Sequence, residues 1–344
     1  MAEGVIAAGL SPQDRQLLTT AQVAFPLAPR PFAALGEIAG LREEQVIARL
    51  HALKEERLIR RIGPVFEPAA LGLVTGLVAV EVEADRIAAV GAEIATWPQV
   101  THCYQRNHRV GLWLAGAARS ADWFGQASAE ISGWEGVRGA WRLPTTRRFK
   151  IGVIFDLVTE QTRSDVRAGI RGNERPAHGS AGPADTGLVR VLETELPLTP
   201  EPFAALAAGV PAGMRDLLGT IREWLALGRM RRYGAQLNHR LLGFTANAMT
   251  VWAVPADRME EVGGALAEDP EVSHCYQRPT FNDFPYNLYA MIHGRSREHC
   301  LAAADRLTRA CGLSDPLPLF STREFKKSTP PYSDLMAGPR SSRQ

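Results

Sequence analysis

The residues best suited to chemistry cluster in two short stretches near the C-terminal end. The first is Val272-Ser-His-Cys-Tyr-Gln-Arg278, and the second runs from Pro285-Tyr-Asn287 to His293-Gly294. Alternate side chains of a strand share one face. On that rule His274, Tyr276 and Arg278 fall together, and Cys275 and Gln277 fall opposite. In the second stretch Asn287, Tyr289, Met291 and His293 share a face, while Leu288, Ala290 and Ile292 form the other. The apolar set is expected to pack on helices, leaving the polar and aromatic set along the open face of a sheet. A histidine, or a tyrosine beside a cation, can donate protons near neutrality. An arginine holds a carboxylate bidentately. Together with Met and aromatic rings, these groups suit a large flat ligand that bears carboxylates. The four cysteines, Cys103, Cys275, Cys300 and Cys311, contain no CxxC pair, so neither zinc nor a disulfide framework is expected. Cys103 and Cys275 read as small core residues on the helix-packed face.

These stretches belong to a chain written twice. Phe25-Pro-Leu-Ala-Pro-Arg-Pro-Phe32 returns as Leu196-Pro-Leu-Thr-Pro-Glu-Pro-Phe203, and Ile59-Arg-Arg-Ile-Gly63 returns as Met230-Arg-Arg-Tyr-Gly234. Val100-Thr-His102-Cys-Tyr104-Gln-Arg106 matches Val272 to Arg278, and Thr146-Arg-Arg-Phe-Lys150 matches Thr322-Arg-Glu-Phe-Lys326. The blocks keep their order and nearly constant separation, which marks a covalent pseudo-dimer. Residues 159–186, rich in Gly, Ala, Arg and Pro, read as a linker.

Within each copy, short helical periodicities precede a βαββαβ run. In the first copy the βαββαβ elements are a strand over Leu73–Val82, a helix over Arg86–Thr96, strands over Val100–Gln105 and Val110–Gly116, a helix over Ala121–Ser132 and a strand over Arg138–Leu143. The second copy repeats this from Ala248 to Thr322. The expected fold class is α+β, two tandem copies of a winged helix-turn-helix plus a ferredoxin-like βαββαβ domain. The boundaries are 11–66 and 67–158 for the first copy, and 187–240 and 241–330 for the second. The 344 residues are 45% hydrophobic and 22% charged with net charge +2, which argues against a strongly basic nucleic-acid binder. No apolar run approaches the ~20 residues of a membrane span. The start, Met1-Ala-Glu-Gly, lacks a signal-peptide pattern, so a cytoplasmic, reducing location is expected.

A helix-turn-helix followed by βαββαβ resembles the Lrp/AsnC layout, and Arg42 to Leu50 looks like that family's recognition helix. A narrower set of blocks is similar to the siroheme decarboxylases: Arg231 to Arg240, His274 to Arg278, Pro285 to Gly294, and Phe325-Lys326-Lys327. The two-copy form looks like the fused D–L type of the denitrification cluster. The resemblance implies an enzyme that removes the C12 and C18 acetate carboxyls of siroheme to give 12,18-didecarboxysiroheme, in heme d1 or alternative heme formation. It implies no cofactor and no resident metal, the iron belonging to the substrate. On this reading His274, His293, Tyr276 and Tyr286 are the catalytic candidates. Arg232, His239, Arg278, Asn287, Tyr289, Met291, Lys326, Lys327, His102 and Arg106 are the substrate-binding candidates, with His239 or His293 approaching the iron. The expected partners are the tetrapyrrole and neighbouring heme d1 pathway enzymes, with no DNA and no membrane, in an internal pseudo-dimer that can associate further.

The copies differ after the shared block. Val110, Gly111 and Ala117 stand where the second copy has Tyr286, Asn287 and His293, and Ile151 stands opposite Lys327. The second copy is therefore expected to hold the complete site. The rival functions are an Lrp/AsnC-type regulator and a non-catalytic tetrapyrrole carrier. Against the regulator, the second copy's Val210–Trp224 segment carries glycines at 213 and 219 and few basic residues, which makes a poor reading head.

Overall fold

A computed structural model describes residues 9–159, 161–164, 183–210 and 216–338. These divide into two compact units that cut across the repeats. A helical unit takes residues up to 71, 152–164 and 183–245, and a sheet unit takes 72–151 and 246–338. Each unit draws on both copies, whereas the boundaries expected from the repeat divide the chain copy by copy.

In the helical unit, α1 (Pro12–Val23) opens on a capping box in which Ser11 and Asp14 satisfy each other's backbone N–H. Its Leu17 and Leu18 are fully buried, as are Phe32 and Leu35 of α2 (Pro31–Ala39) and Val46, Leu50 and Leu53 of α3 (Glu43–Glu55). Burial of each such side chain contributes roughly 1.5–3 kcal/mol. Arg49 donates to both carboxylate oxygens of Asp14 at 2.6 and 3.1 Å, tying α3 to α1. The two copies then join through β1 (Ile59–Phe66) and β9 (Met230–Leu237), which pair antiparallel with Gly63 opposite Gly234.

The expected linker is partly structured. β7 (Val153–Asp156) and β8 (Gln161–Ser164) form a hairpin, and α6 (Pro183–Glu193) begins inside the span assigned to the linker. The Gln22 side chain donates to the Phe155 carbonyl at 2.9 Å and accepts from its N–H at 3.1 Å, fixing the hairpin to α1. A four-residue strand is too short to show a period, so composition alone misread β8, the half of the hairpin that lies in the linker span. Residues 165–182 of that span lie outside the described residues. The second helical array has α7 (Pro202–Ala207) and α8 (Leu217–Ala226), with part of the 210–224 segment, 211–215, outside the description.

The sheet unit contains both βαββαβ runs. The first is β2 (Val74–Val82), α4 (Ile87–Thr96), β3 (Val100–Arg106), β4 (Leu112–Ala118), α5 (Asp122–Ser132) and β5 (Val137–Leu143), followed by an extra strand, β6 (Arg147–Ile151). The second is β10 (Ala246–Trp252), α9 (Met259–Glu268), β11 (Val272–Gln277), β12 (Leu288–Gly294), α10 (Arg297–Ala310) and β13 (Leu317–Lys327). They merge into one nine-stranded sheet of order β5-β2-β4-β3-β13-β10-β12-β11-β6. Each His-Cys-Tyr-Gln-Arg strand is therefore paired with the C-terminal strand of the other copy: β3 with β13, and β11 with β6.

Glycines admit this exchange. A Cβ on Gly91 of α4 would collide with the Phe325 ring, and one on Gly263 of α9 would collide with the Phe149 ring. Each phenylalanine thus seats directly on a helix of the opposite copy. The sheet is also curled. β5 and β6 occupy its two edges, yet Leu143 and Arg147 are four residues apart and at most roughly 14 Å from each other. Between them Thr146 extends the β6–β11 ladder by donating its N–H (3.0 Å) and hydroxyl (3.1 Å) to the Gln277 carbonyl.

The outward faces are packed as expected. Cys103 and Cys275 sit under α4 and α9 in two apolar cores. Burial pushes the Cys103 thiol up to about 12, which keeps it protonated. The inward face is less open than expected. Ala79, Trp113 and Leu143 of one copy share a buried cluster with Met249, Val251, Tyr289 and Leu319 of the other. Curling brings the two inner faces together, so apolar side chains that alternation alone leaves facing water form a third core.

Candidate functional site on the concave sheet face

Polar side chains emerge from this inner face in two matching rows. In the second row His274 stands opposite Met291 on one side and Ile151 on the other, and Met291 stands opposite Met249. The adjoining row places Tyr276 between Tyr289 and Arg148. One step the other way, His293 faces Asn247. The first copy is laid out identically. His102 lies between Ala115 and Lys327, Tyr104 lies between Trp113 and Glu324, and Ala117 faces Thr75. The His–Tyr ring separations are 6.1 Å for His102–Tyr104 and 6.2 Å for His274–Tyr276.

The arginine that closes each block is structural as well as cationic. Arg106 donates to the Leu319 carbonyl and Arg278 to the Leu143 carbonyl, each at 2.5 Å. Each guanidinium also lies over a tyrosine ring, Arg106 on Tyr104 at 5.8 Å and Arg278 on Tyr276 at 5.1 Å. Burial depresses both guanidinium pKa values, that of Arg106 to about 10, which still leaves it charged at neutrality. Burial and the nearby Lys327 ammonium together depress His293 to about 4, so it is neutral at pH 7. The Tyr289 hydroxyl is buried on this face and has no hydrogen-bond partner among the described residues.

Residues 70–150 and 241–326 match the AsnC-like ligand binding domain family, and residues 14–60 match the siroheme decarboxylase NirDL-like HTH domain. The siroheme decarboxylase of Hydrogenobacter thermophilus is 32% identical over 313 residues, spanning 91% of this chain and 92% of that protein. The chain belongs to the siroheme decarboxylase family. A siroheme decarboxylase beta subunit of Methanosarcina barkeri is 40% identical over 144 residues, 42% of this chain and 95% of its own. That subunit is one-copy in length. A crystal structure of the siroheme decarboxylase NirDL in co-complex with an iron-uroporphyrin III analogue superposes with a TM-score of 0.69 at 27% identity, covering 94% of this chain and 95% of that one. The chain is thus an enzyme of this family, and its helix-turn-helix at residues 14–60 matches the family's own HTH domain.

Within this member of the family, the structure redistributes the residues expected to act. His274, Tyr276, Tyr289, Met291 and His293 do share the concave face. Asn287 does not join them. Its amide donates to the Val254 carbonyl and accepts from the Val254 N–H, both at 2.8 Å, so it pins the end of β10. Tyr286 precedes β12 and packs its ring edge-on to Phe284, with centroids 4.8 Å apart. Lys326 points to the helix side, where its Nζ donates to the Trp97 carbonyl at 2.7 Å. The irregularity at Phe325 reverses the alternation, which puts Lys327 on the concave face opposite His102. Arg106 and Arg278 each lie against the tyrosine of their own block with one donor committed to a carbonyl.

Arg232 and His239 belong to the helical unit. There Arg232 donates to the Gln22 carbonyl at 3.3 Å, and the buried His239 stacks on Phe155 at 5.5 Å. Sequence reasoning missed Arg148 and Glu324, which the exchanged strands deliver beside Tyr276 and Tyr104. The repeated Thr-Arg-x-Phe-Lys block was the available signal. Among the described residues no helix is long and apolar enough to cross a membrane.

Proposed function

We propose that the chain removes the C12 and C18 acetate carboxyls of siroheme to give 12,18-didecarboxysiroheme, with no cofactor beyond the iron that the substrate carries. The observation that supports it most is the concave row of His274, Met291 and Met249 flanked by Tyr276, Tyr289, Arg148 and His293. This lining offers apolar and aromatic surface to a macrocycle, and cations to its carboxylates. In each decarboxylation the bond between the acetate methylene and its carboxylate breaks and CO2 leaves. The electron pair delocalises into the conjugated ring, and a proton converts the methylene to a methyl group. Lys327 and Arg148 suit the carboxylates as cations on this face. His274 suits the proton transfer. His293, neutral at pH 7, suits iron approach through a ring nitrogen better than it suits acid catalysis. A place in heme d1 or alternative heme formation, beside enzymes that act on the same pigment, belongs to the same reading.

Anaerobic incubation with siroheme followed by mass spectrometry of the pigment tests this directly. The expected result is the loss of two CO2 units per siroheme. Stoichiometric pigment binding with unchanged mass would replace the enzyme by a carrier, and loss of only one carboxyl would remove the assigned product.

A further inference from the structure

Both histidines of the repeated block follow a hydroxyl residue at a break in the ladder. The pairing skips Thr101 between Val100 and His102, and Ser273 between Val272 and His274. Ser273 Oγ lies 2.9 Å from His274 Nδ1 and 3.1 Å from the Met291 carbonyl oxygen. Thr101 Oγ1 lies 2.9 Å from His102 Nδ1 and 3.1 Å from the Ala115 carbonyl oxygen. The residue type changes between copies and the hydroxyl does not. Both hydroxyl residues are buried, at 1% and 6% exposure for Ser273 and Thr101, so water is a poor substitute for either bond.

A hydroxyl has one proton to donate, and a carbonyl oxygen can only accept. If Ser273 gives its proton to Met291, the contact with His274 requires the proton to sit on Nδ1. The opposite arrangement, with the hydroxyl proton on the ring nitrogen, leaves two oxygens facing each other at 3.1 Å without a proton between them, a costly buried contact. We infer that Ser273 is a positioning residue that holds His274 in its Nδ1-protonated form, so that Nε2 is the nitrogen that gains and loses the proton. Thr101 imposes the same form on His102. Both the neutral ring and the imidazolium satisfy the Ser273 bond, since Nδ1 stays protonated in each. The imidazole can therefore give a proton from Nε2 and regain one without turning. The turnover arm rests on the proposed decarboxylation, whereas the protonation form of the ring does not.

The test uses the full chain with ¹⁵N-labelled histidine, in which long-range ¹H–¹⁵N correlation reports which ring nitrogen carries the proton. Wild type and Ser273→Thr are expected to show His274 protonated at Nδ1, and Ser273→Ala to move it towards the Nε2-protonated form. With siroheme, Ser273→Ala should lower kcat by about tenfold or more with KM within about twofold, and Ser273→Thr should restore it. Thr101→Val, which keeps shape and removes the hydroxyl, gives the same reading at His102 should Ser273→Ala fail to fold. An Nε2-protonated His274 in wild type overturns the inference, as does an unchanged spectrum and kcat in a folded Ser273→Ala. If the ring form shifts as expected but wild type never decarboxylates siroheme, the proposed function fails and the positioning role stands.

Discussion

The two histidine rows share a scaffold and differ in what surrounds it. Each has the hydroxyl before the histidine, the same His–Tyr spacing and the arginine clamped to a backbone carbonyl of the other copy. Around that scaffold the first row offers Ala115, Ala117, Lys327 and Glu324, and the second offers Met291, His293, Ile151 and Arg148. The difference teaches that backbone geometry is duplicated while the chemistry is not. Strand exchange makes each row a product of both copies. A single change in a C-terminal strand therefore alters the row of the opposite copy and leaves its own histidine strand untouched.

Turnover should separate the rows most strongly. His274→Ala is expected to reduce single-turnover decarboxylation by roughly 10²–10⁴-fold, the range for loss of a general acid. His102→Ala should cost far less, and equal losses would show that the rows act equivalently. Acid stability should separate them next. The His293 pKa of about 4 lies below the ordinary 6.5, so between these values the unfolded chain binds more protons. Stability from this group is therefore present above pH 6.5 and lost as pH falls towards 4, by up to about 3 kcal/mol. Urea titrations of His293→Ala should show that part of the acid limb flattened, as befits the alanine that the first copy already has. An unchanged limb would mean that His293 is solvated.

The clamps should respond alike. Arg106→Met and Arg278→Met are each expected to lower unfolding free energy by ~2 kcal/mol, since each leaves a carbonyl short of a charge-assisted donor. A large inequality in denaturant midpoints would break the shared scaffold. The smallest effect is Tyr289→Phe, which removes a buried, unpartnered hydroxyl. Apo stability should rise or stay within ~1 kcal/mol, while pigment affinity measured by titration should fall if that hydroxyl meets the substrate. Unchanged affinity would make Tyr289 a core ring.

Much of the local placement was legible in the chain itself. Alternation correctly sorted Cys275 from His274 and Ala290 from Met291, because neighbours in a strand are separated by backbone geometry alone. The same rule does not foresee the bulge at Phe325, which sends Lys327 and not Lys326 to the inner face. It failed at Asn287, which lies before the strand begins and bonds to Val254. Arg278 was legible as a cation facing the site, but its clamp on Leu143 depends on a residue far away in sequence.

The sequence by itself determined the duplication, the order of helices and strands, and which side chains alternate towards the inner face. These follow from periodicity and repeated blocks, which are properties of neighbouring residues. Only the tertiary structure decided that β6 completes the second row and β13 the first, that the inner face closes over a shared apolar core, and that Lys327 rather than Lys326 reaches it. Pairing between distant strands is selected by packing, here by Phe149 on Gly263 and Phe325 on Gly91. No local period encodes which copy a strand will join.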